Sequence, residues 1–245
     1  MGLDHVSLED LIREAGVSRS AVYRRWPYKD LFFADLVKEL ARSAVPSIVD
    51  DEVAAIQRVL AEHLDWLDSP EGRAALVAEL VRQLAWVDFE TLSGSARWCT
   101  YLALNAAFGG IADEDTRQEV QSALAEAEPA HNGSVANAWK LLTGLLGYRL
   151  RPEVAADFET LAALLTAAMR GMVIMALSDP AIATRRLLAA PLGAAGPAEW
   201  SLPALALASI ASGLLEPDPD LDWNAERIAA VREALAAISA RGIRT

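Results

Sequence analysis

Residues Ser7 to Phe32 read SLEDLIREAGVSRSAVYRRWPYKDLF, and two helix-start signals lie inside this stretch. Ser7 is an N-cap: its side-chain oxygen can accept from the amides of a first helical turn, and Asp10 three residues on completes a capping-box pattern. Val6 and Leu11 are spaced as a hydrophobic staple across that start. Leu8, Leu11, Ile12 and Ala15 recur at helical spacing and predict one apolar face. Gly16 follows at once, where a left-handed C-cap favours glycine.

The second start comes only two residues later. Ser18 is the expected cap, with Val17 and Val22 as its staple pair. Val22 and Trp26 lie four apart and share the inward face, which leaves Arg19, Ser20, Tyr23 and Arg24 on the other faces. Pro27 ends this helix, because the residue before a proline is pushed out of the α region. Two short helices around a tight turn, the second exposing Arg, Ser and Tyr, form the helix-turn-helix pattern.

Charge sharpens that reading. The 245-residue chain carries a net charge of −12, which by itself argues against nucleic acid. Residues 1–45, however, balance seven Lys/Arg against seven Asp/Glu, so the remaining residues hold the whole excess. From Val17 to Lys29 there are four bases (Arg19, Arg24, Arg25, Lys29) and no acid. A short basic patch on an acidic body fits one DNA-binding element on a scaffold that stays off the phosphates.

The same stretch resembles the DNA-binding region of the TetR family. Members show an Ala-Gly-Val-Ser turn, a Tyr in the recognition helix, an aromatic three residues on and a Lys three further. Here these are Ala15-Gly16-Val17-Ser18, Tyr23, Trp26 and Lys29, with Phe32 and Leu36 continuing the pattern. The resemblance implies that Ser7, Tyr23 and Lys29 contact phosphates and fix register without reading sequence. It places Arg19, Ser20, Ala21 and Arg25 where members reach base edges, and Ser18 and Arg24 complete the expected DNA-binding set. An arginine bonding guanine in bidentate fashion is worth roughly 1–3 kcal/mol of discrimination. Family members also carry a further helix ahead of the position of Gly2. The sequence begins at Met1 without it, so Leu8, Leu11, Val22 and Trp26 are expected to lose part of their cover.

Beyond residue 45 the pattern is helical throughout. The hydrophobic fraction is 53%, enough for a sizeable core, and no sustained alternation predicts a substantial sheet. The expected class is all-α: a helix-turn-helix domain over 1–45 and a larger ligand-binding and dimerisation domain over 46–245. Asp30 to Ala44 is the predicted connecting helix, with Phe32, Leu36 and Leu40 on one face and Pro46 closing it. Further helices are predicted over Asp51 to Leu67, Pro70 to Val87, Ser93 to Phe108, Glu114 to Glu126, Ser134 to Leu146 and Glu153 to Ser178. A loop over Ala189 to Pro197 precedes the last two, Pro203 to Leu215 and Asn224 to Ala240.

Chemistry is sparse along this stretch. His5, His63 and His131 have no ligand-like spacing partner, so neither a metal nor a cofactor is expected. No phosphate loop or nucleophile elbow is present, and catalysis is not indicated. The single cysteine, Cys99, suits a reducing cytoplasm. The apolar run Leu161 to Leu177 carries Arg170 and falls short of the ~20 residues of a spanning helix, so it reads as buried in a core or against a partner, not as a membrane span.

By resemblance, Trp66, Trp86, Trp98 and Trp139 lie on helices that wall a ligand cavity in the family, with Arg97, Asn105, Asn137 and Arg170 as polar insertions; plain core serves each tryptophan equally well. The resemblance thus implies a repressor that binds a double-stranded operator as a homodimer and answers to a small-molecule effector. A sensor or dimerisation module with impaired DNA binding is the alternative.

Overall fold

The computed structural model describes residues 7–43, 50–111 and 113–241. Among them are eleven α-helices, with short 3-10 turns and two small β-ribbons, so the fold is all-α with an N-terminal helix-turn-helix. The helices are α1 (Leu8–Ala15), α2 (Arg19–Arg25), α3 (Lys29–Ser43), α4 (Asp50–His63), α5 (Pro70–Gly94), α6 (Ala96–Ala107), α7 (Glu114–Leu145), α8 (Phe158–Ala176), α9 (Ala181–Thr184), α10 (Leu202–Leu214) and α11 (Ala225–Arg241). The strands are β1 (Tyr148–Leu150), β2 (Arg186–Ala189), β3 (Ala198–Ser201) and β4 (Leu215–Pro217).

The chain forms two compact units. The first joins residues 1–45 to 95–131, and the second joins 46–94 to 132–245. In the first, α3 packs on α6, with Phe33, Ala34 and Val37 buried on one side and Tyr101 and Leu102 on the other. Lys38 Nζ bonds Glu119 at 2.6 Å and ties α3 to the first half of α7. The expected face of α3 is thus rotated by one residue, because Phe32 turns toward the helix-turn-helix while Phe33 enters the core. Leu36 is half-buried, and Leu40 lies outside the described side chains.

In the second unit, α5 is the central element, packed on α4, α8 and α10. Leu76, Phe89, Leu161, Val173, Trp200 and Leu235 are all but fully buried there. Residue Gly147 adopts φ +72°, and a Cβ on it would meet the Trp223 indole at 2.6 Å, so both its conformation and its clearance require glycine. The indole of Trp223 is faced by two arginines, Arg73 at 4.1 Å and Arg227 at 5.0 Å from the ring centre.

Several elements differ from expectation. The two predicted helices over 114–126 and 134–146 are one helix, α7, running through Pro129. Proline removes one ladder bond, and the Ala- and Glu-rich turns before it favour the helix that continues past it. Helix α4 ends at His63 and passes into a 3-10 turn over Leu64–Asp68, while α5 runs on to Gly94. Expected loop 189–197 is the connection of a hairpin, β2 against β3 in the register Arg186↔Ser201 to Ala189↔Ala198. Strand β1 pairs with β4 across a long sequence gap, Tyr148↔Pro217 to Leu150↔Leu215.

Candidate nucleic-acid interface

Local chemistry builds the first helix pair as read. Ser7 Oγ accepts from the Asp10 amide at 3.2 Å. Asp10 does not return the capping-box bond to Ser7; its carboxylate pairs with Arg13 instead, one turn on. At the other end Gly16 sits at φ +64°, and the Gly16 and Val17 amides close back on the Arg13 and Ile12 carbonyls. Ser18 holds the N-cap position of α2 with extended backbone but makes no side-chain cap; its hydroxyl lies 2.9 Å from that of Ser20. Val17 stays half-exposed, so the expected Val17–Val22 staple does not close. Val22 finds its cover on α1 instead, in a cluster with Leu8 and Ile12. Val6 lies outside the described residues.

Trp26 follows α2 with φ −126° and ψ 83°, off the helix as a residue before proline must be. Its ring and that of Phe32 meet edge to face at 5.2 Å and pack on the Leu8–Ile12–Val22 cluster. Its indole N–H donates to Asp35 Oδ2 at 3.0 Å. The small hydrophobic cluster and this bond hold α2 against α1 and α3, leaving its opposite side in solvent.

On that exposed side lie Arg19, Ser20, Ala21, Tyr23, Arg24 and Arg25, with Ser7 and Ser18 also exposed at the helix starts. Lys29, at the first position of α3, is half-buried along its stem, with its ammonium 5.8 Å from the centre of the Phe33 ring. Two carboxylates hold cations of this face. Glu9 Oε1 accepts from the Tyr23 hydroxyl at 2.6 Å and from the Arg19 guanidinium at 2.7 Å. Arg19 also lies over the Tyr23 ring at 5.6 Å. Arg25 lies over the Trp26 ring at 5.2 Å, 3.9 Å from Asp35. Neither acid was part of the expected site. The Glu9–Tyr23 contact joins residues on two helices, where spacing along one helix gives no signal.

The expected pocket residues fall in both units. Trp98 and Asn105 lie on α6 in the first, where the Trp98 ring meets Tyr101 at 5.4 Å and Asn105 Nδ2 donates weakly to the Tyr101 hydroxyl at 3.4 Å. Trp66, Trp86, Trp139 and Arg170 belong to the second. Trp66 stacks on His63 at 3.9 Å, while Trp139 and Arg170 are half-buried. Trp86 lines a cavity of about 190 Å³ with Arg82, Gln83, Arg186, Glu199 and Ser201. The Arg186 guanidinium covers the Trp86 ring at 4.0 Å, and Arg82 is held in a fork by Glu79 at 2.6 and 2.7 Å. Among the described residues no group of three His, Cys, Asp or Glu side chains could hold a metal ion.

A two-helix unit with a capped turn, a private hydrophobic cluster and a basic solvent face defines a helix-turn-helix DNA-binding protein. Residues 1–36 match the family model described as bacterial regulatory proteins, tetR family, so the helix-turn-helix region is similar to the DNA-binding region of that family. The chain is accordingly a DNA-binding transcription regulator. Comparison with curated proteins found no match, and comparison with solved structures found none either.

Proposed function

We propose that the protein is a ligand-responsive cytoplasmic repressor that binds a pseudo-palindromic operator as a homodimer and leaves it when a small molecule binds. The observation that supports it most is the solvent face of α2, where Arg19, Arg24 and Arg25 surround Tyr23 on a helix otherwise anchored by Val22. Tyr23 and Lys29 hold the phosphates; Arg19, Ser20, Ala21 and Arg25 read base edges.

The second copy supports a two-fold operator, and α8 supplies the surface for it. Its inner face is buried through Leu161, Leu165, Met169 and Val173, yet Leu164, Ile174, Met175 and Leu177 stay exposed. Every exposed side chain between residues 163 and 178 is uncharged. This is the one helix long and apolar enough to cross a membrane among the described residues, by length and composition. A contiguous apolar surface on a DNA-binding protein is better covered by its own twofold mate. Two recognition helices roughly 34–36 Å apart then meet successive major grooves.

For the effector we assign the cavity beside Trp86. The indole is an aromatic wall, and the Arg186 guanidinium over it offers a cation to an anionic or polar group. An effector acts by favouring a conformation that fits the operator less well. The test is fluorescence-anisotropy titration of a selected duplex, with and without a small-molecule library, on the protein and on Trp86→Ala. The reading expects saturable, salt-sensitive binding reversed by a compound that no longer acts on the variant. Compounds that act equally on both proteins would remove the cavity from the effector role.

A further inference from the structure

Tyr23 has one hydroxyl proton, and in this structure Glu9 holds it. The same carboxylate oxygen takes the Arg19 guanidinium, so two donors of the DNA-binding face converge on one acid from α1. The contact is not a buried structural pair: Arg19 and Glu9 keep 71% and 43% of their side-chain surface. The fold is held elsewhere, by Leu8, Ile12, Val22 and the Trp26 and Phe32 rings. The phenol of Tyr23 feels the acid, its pKa being raised first by the hydrogen bond to Glu9, with desolvation and the negative charge adding and Arg19 opposing.

A carboxylate and a phosphate diester present the same face to such donors: a delocalised anion with oxygens that accept charge-assisted hydrogen bonds. The phenol cannot donate to both. We propose that Glu9 is an internal stand-in for a DNA phosphate: in the free protein it occupies the Tyr23 and Arg19 donors, and DNA must displace it to bind. The inference rests on the reading of Tyr23 as a phosphate ligand. Glu9 then acts as a threshold. Random duplex, offering phosphates alone, gains little by exchanging one anion for another. An operator that also engages the base-reading side chains has the surplus to complete the exchange. Because the contact lies in the free protein, it weakens binding to every duplex that displaces Glu9.

The substitution that isolates this is Glu9→Gln, which keeps shape and removes the charge at an exposed site. Affinity for random duplex should rise roughly three- to tenfold, the scale of one or two solvent-screened charge interactions. The slope of log K against log salt should steepen by about 0.9 for each further phosphate that the protein neutralises. Operator affinity should rise at least as much, because the operator complex also draws Arg19 away from Glu9. On a Tyr23→Phe background the gain from Glu9→Gln should shrink. Equal or weaker binding of random duplex by Glu9→Gln would overturn the proposal, and would instead make Glu9 a support that aims Arg19.

A second readout needs no DNA. Ultraviolet titration of tyrosinate, with Tyr23→Phe to assign the group, should show Tyr23 ionising at lower pH in Glu9→Gln than in the unaltered protein. An unchanged Tyr23 titration would show that the tether is absent in solution and overturn the proposal on its own. A lowered Tyr23 value with no binding of any duplex by either protein would overturn both the threshold and the DNA reading beneath it.

Discussion

Trp26 donates its indole N–H to Asp35 at 3.0 Å, and this bond ties the residue that ends α2 to the helix that follows. Because the same indole packs edge to face on Phe32, Trp26 is held by both a ring contact and a polar anchor. Asp35→Ala removes the acceptor and leaves the half-buried N–H to find water. The expected cost is about 1 kcal/mol, read as a lower urea midpoint by circular dichroism with unchanged slope. Trp26→Phe keeps a ring but loses the donor, and its effect should not add to that of Asp35→Ala in a double-mutant cycle.

The phosphate and base roles separate by salt. Tyr23→Phe with Lys29→Ala should weaken binding to all duplexes and flatten the salt dependence by up to about 0.9 for each phosphate no longer neutralised. Arg19→Ala should instead relax preference at one or two base positions while the salt slope changes less. An unaltered slope in the double variant, measured by anisotropy at several salt concentrations, would take Tyr23 and Lys29 out of the phosphate role.

What was legible in the sequence was the chemistry a few neighbouring residues complete among themselves. Ser7 as a cap, Gly16 in the left-handed region and Pro27 closing α2 each need only their immediate neighbours. The partners of the DNA face were not legible, because Glu9 meets Tyr23, and Asp35 meets Trp26, only after three helices have packed. The β-ribbons were missed for the same reason. Strands of three or four residues show no periodicity, and Tyr148 finds Pro217 through the fold alone. The span 114–146 differs in the opposite sense: two helices are expected there, and α7 is one helix that runs through Pro129. The four tryptophans of the expected pocket show how little residue type says of position: Trp98 lies in one compact unit, and Trp66, Trp86 and Trp139 in the other.

Asp88 gives the stability a definite pH dependence. Burial alone raises its carboxyl to about 6, with no cation or donor offsetting it. The folded value lies above the unfolded one, so the sign is opposite to that of a salt-bridged aspartate. Ionisation costs stability above pH 6, and the cost is relieved as pH falls through 6 toward 4. Asp88→Asn should therefore stabilise the protein at pH 7, and its advantage should shrink by about 1 kcal/mol at pH 5. Paired thermal melts at the two pH values check this; an advantage constant with pH would contradict the buried carboxylate.

The exposed apolar positions of α8 predict the assembly. Leu164→Glu and Ile174→Glu place charges on exposed positions, so neither should unfold the protein. Each should shift a dimer to monomer in light scattering coupled to gel filtration, and weaken operator binding far more than random-duplex binding. A dimer that survives both substitutions would place the twofold contact elsewhere.

The most direct test is selection of bound sequences from a random duplex pool by the unaltered protein. The account predicts an enriched motif of two inverted half-sites, centred roughly one DNA turn or a multiple of it apart. A selected pool no different from its input would contradict the central claim that α2 reads DNA.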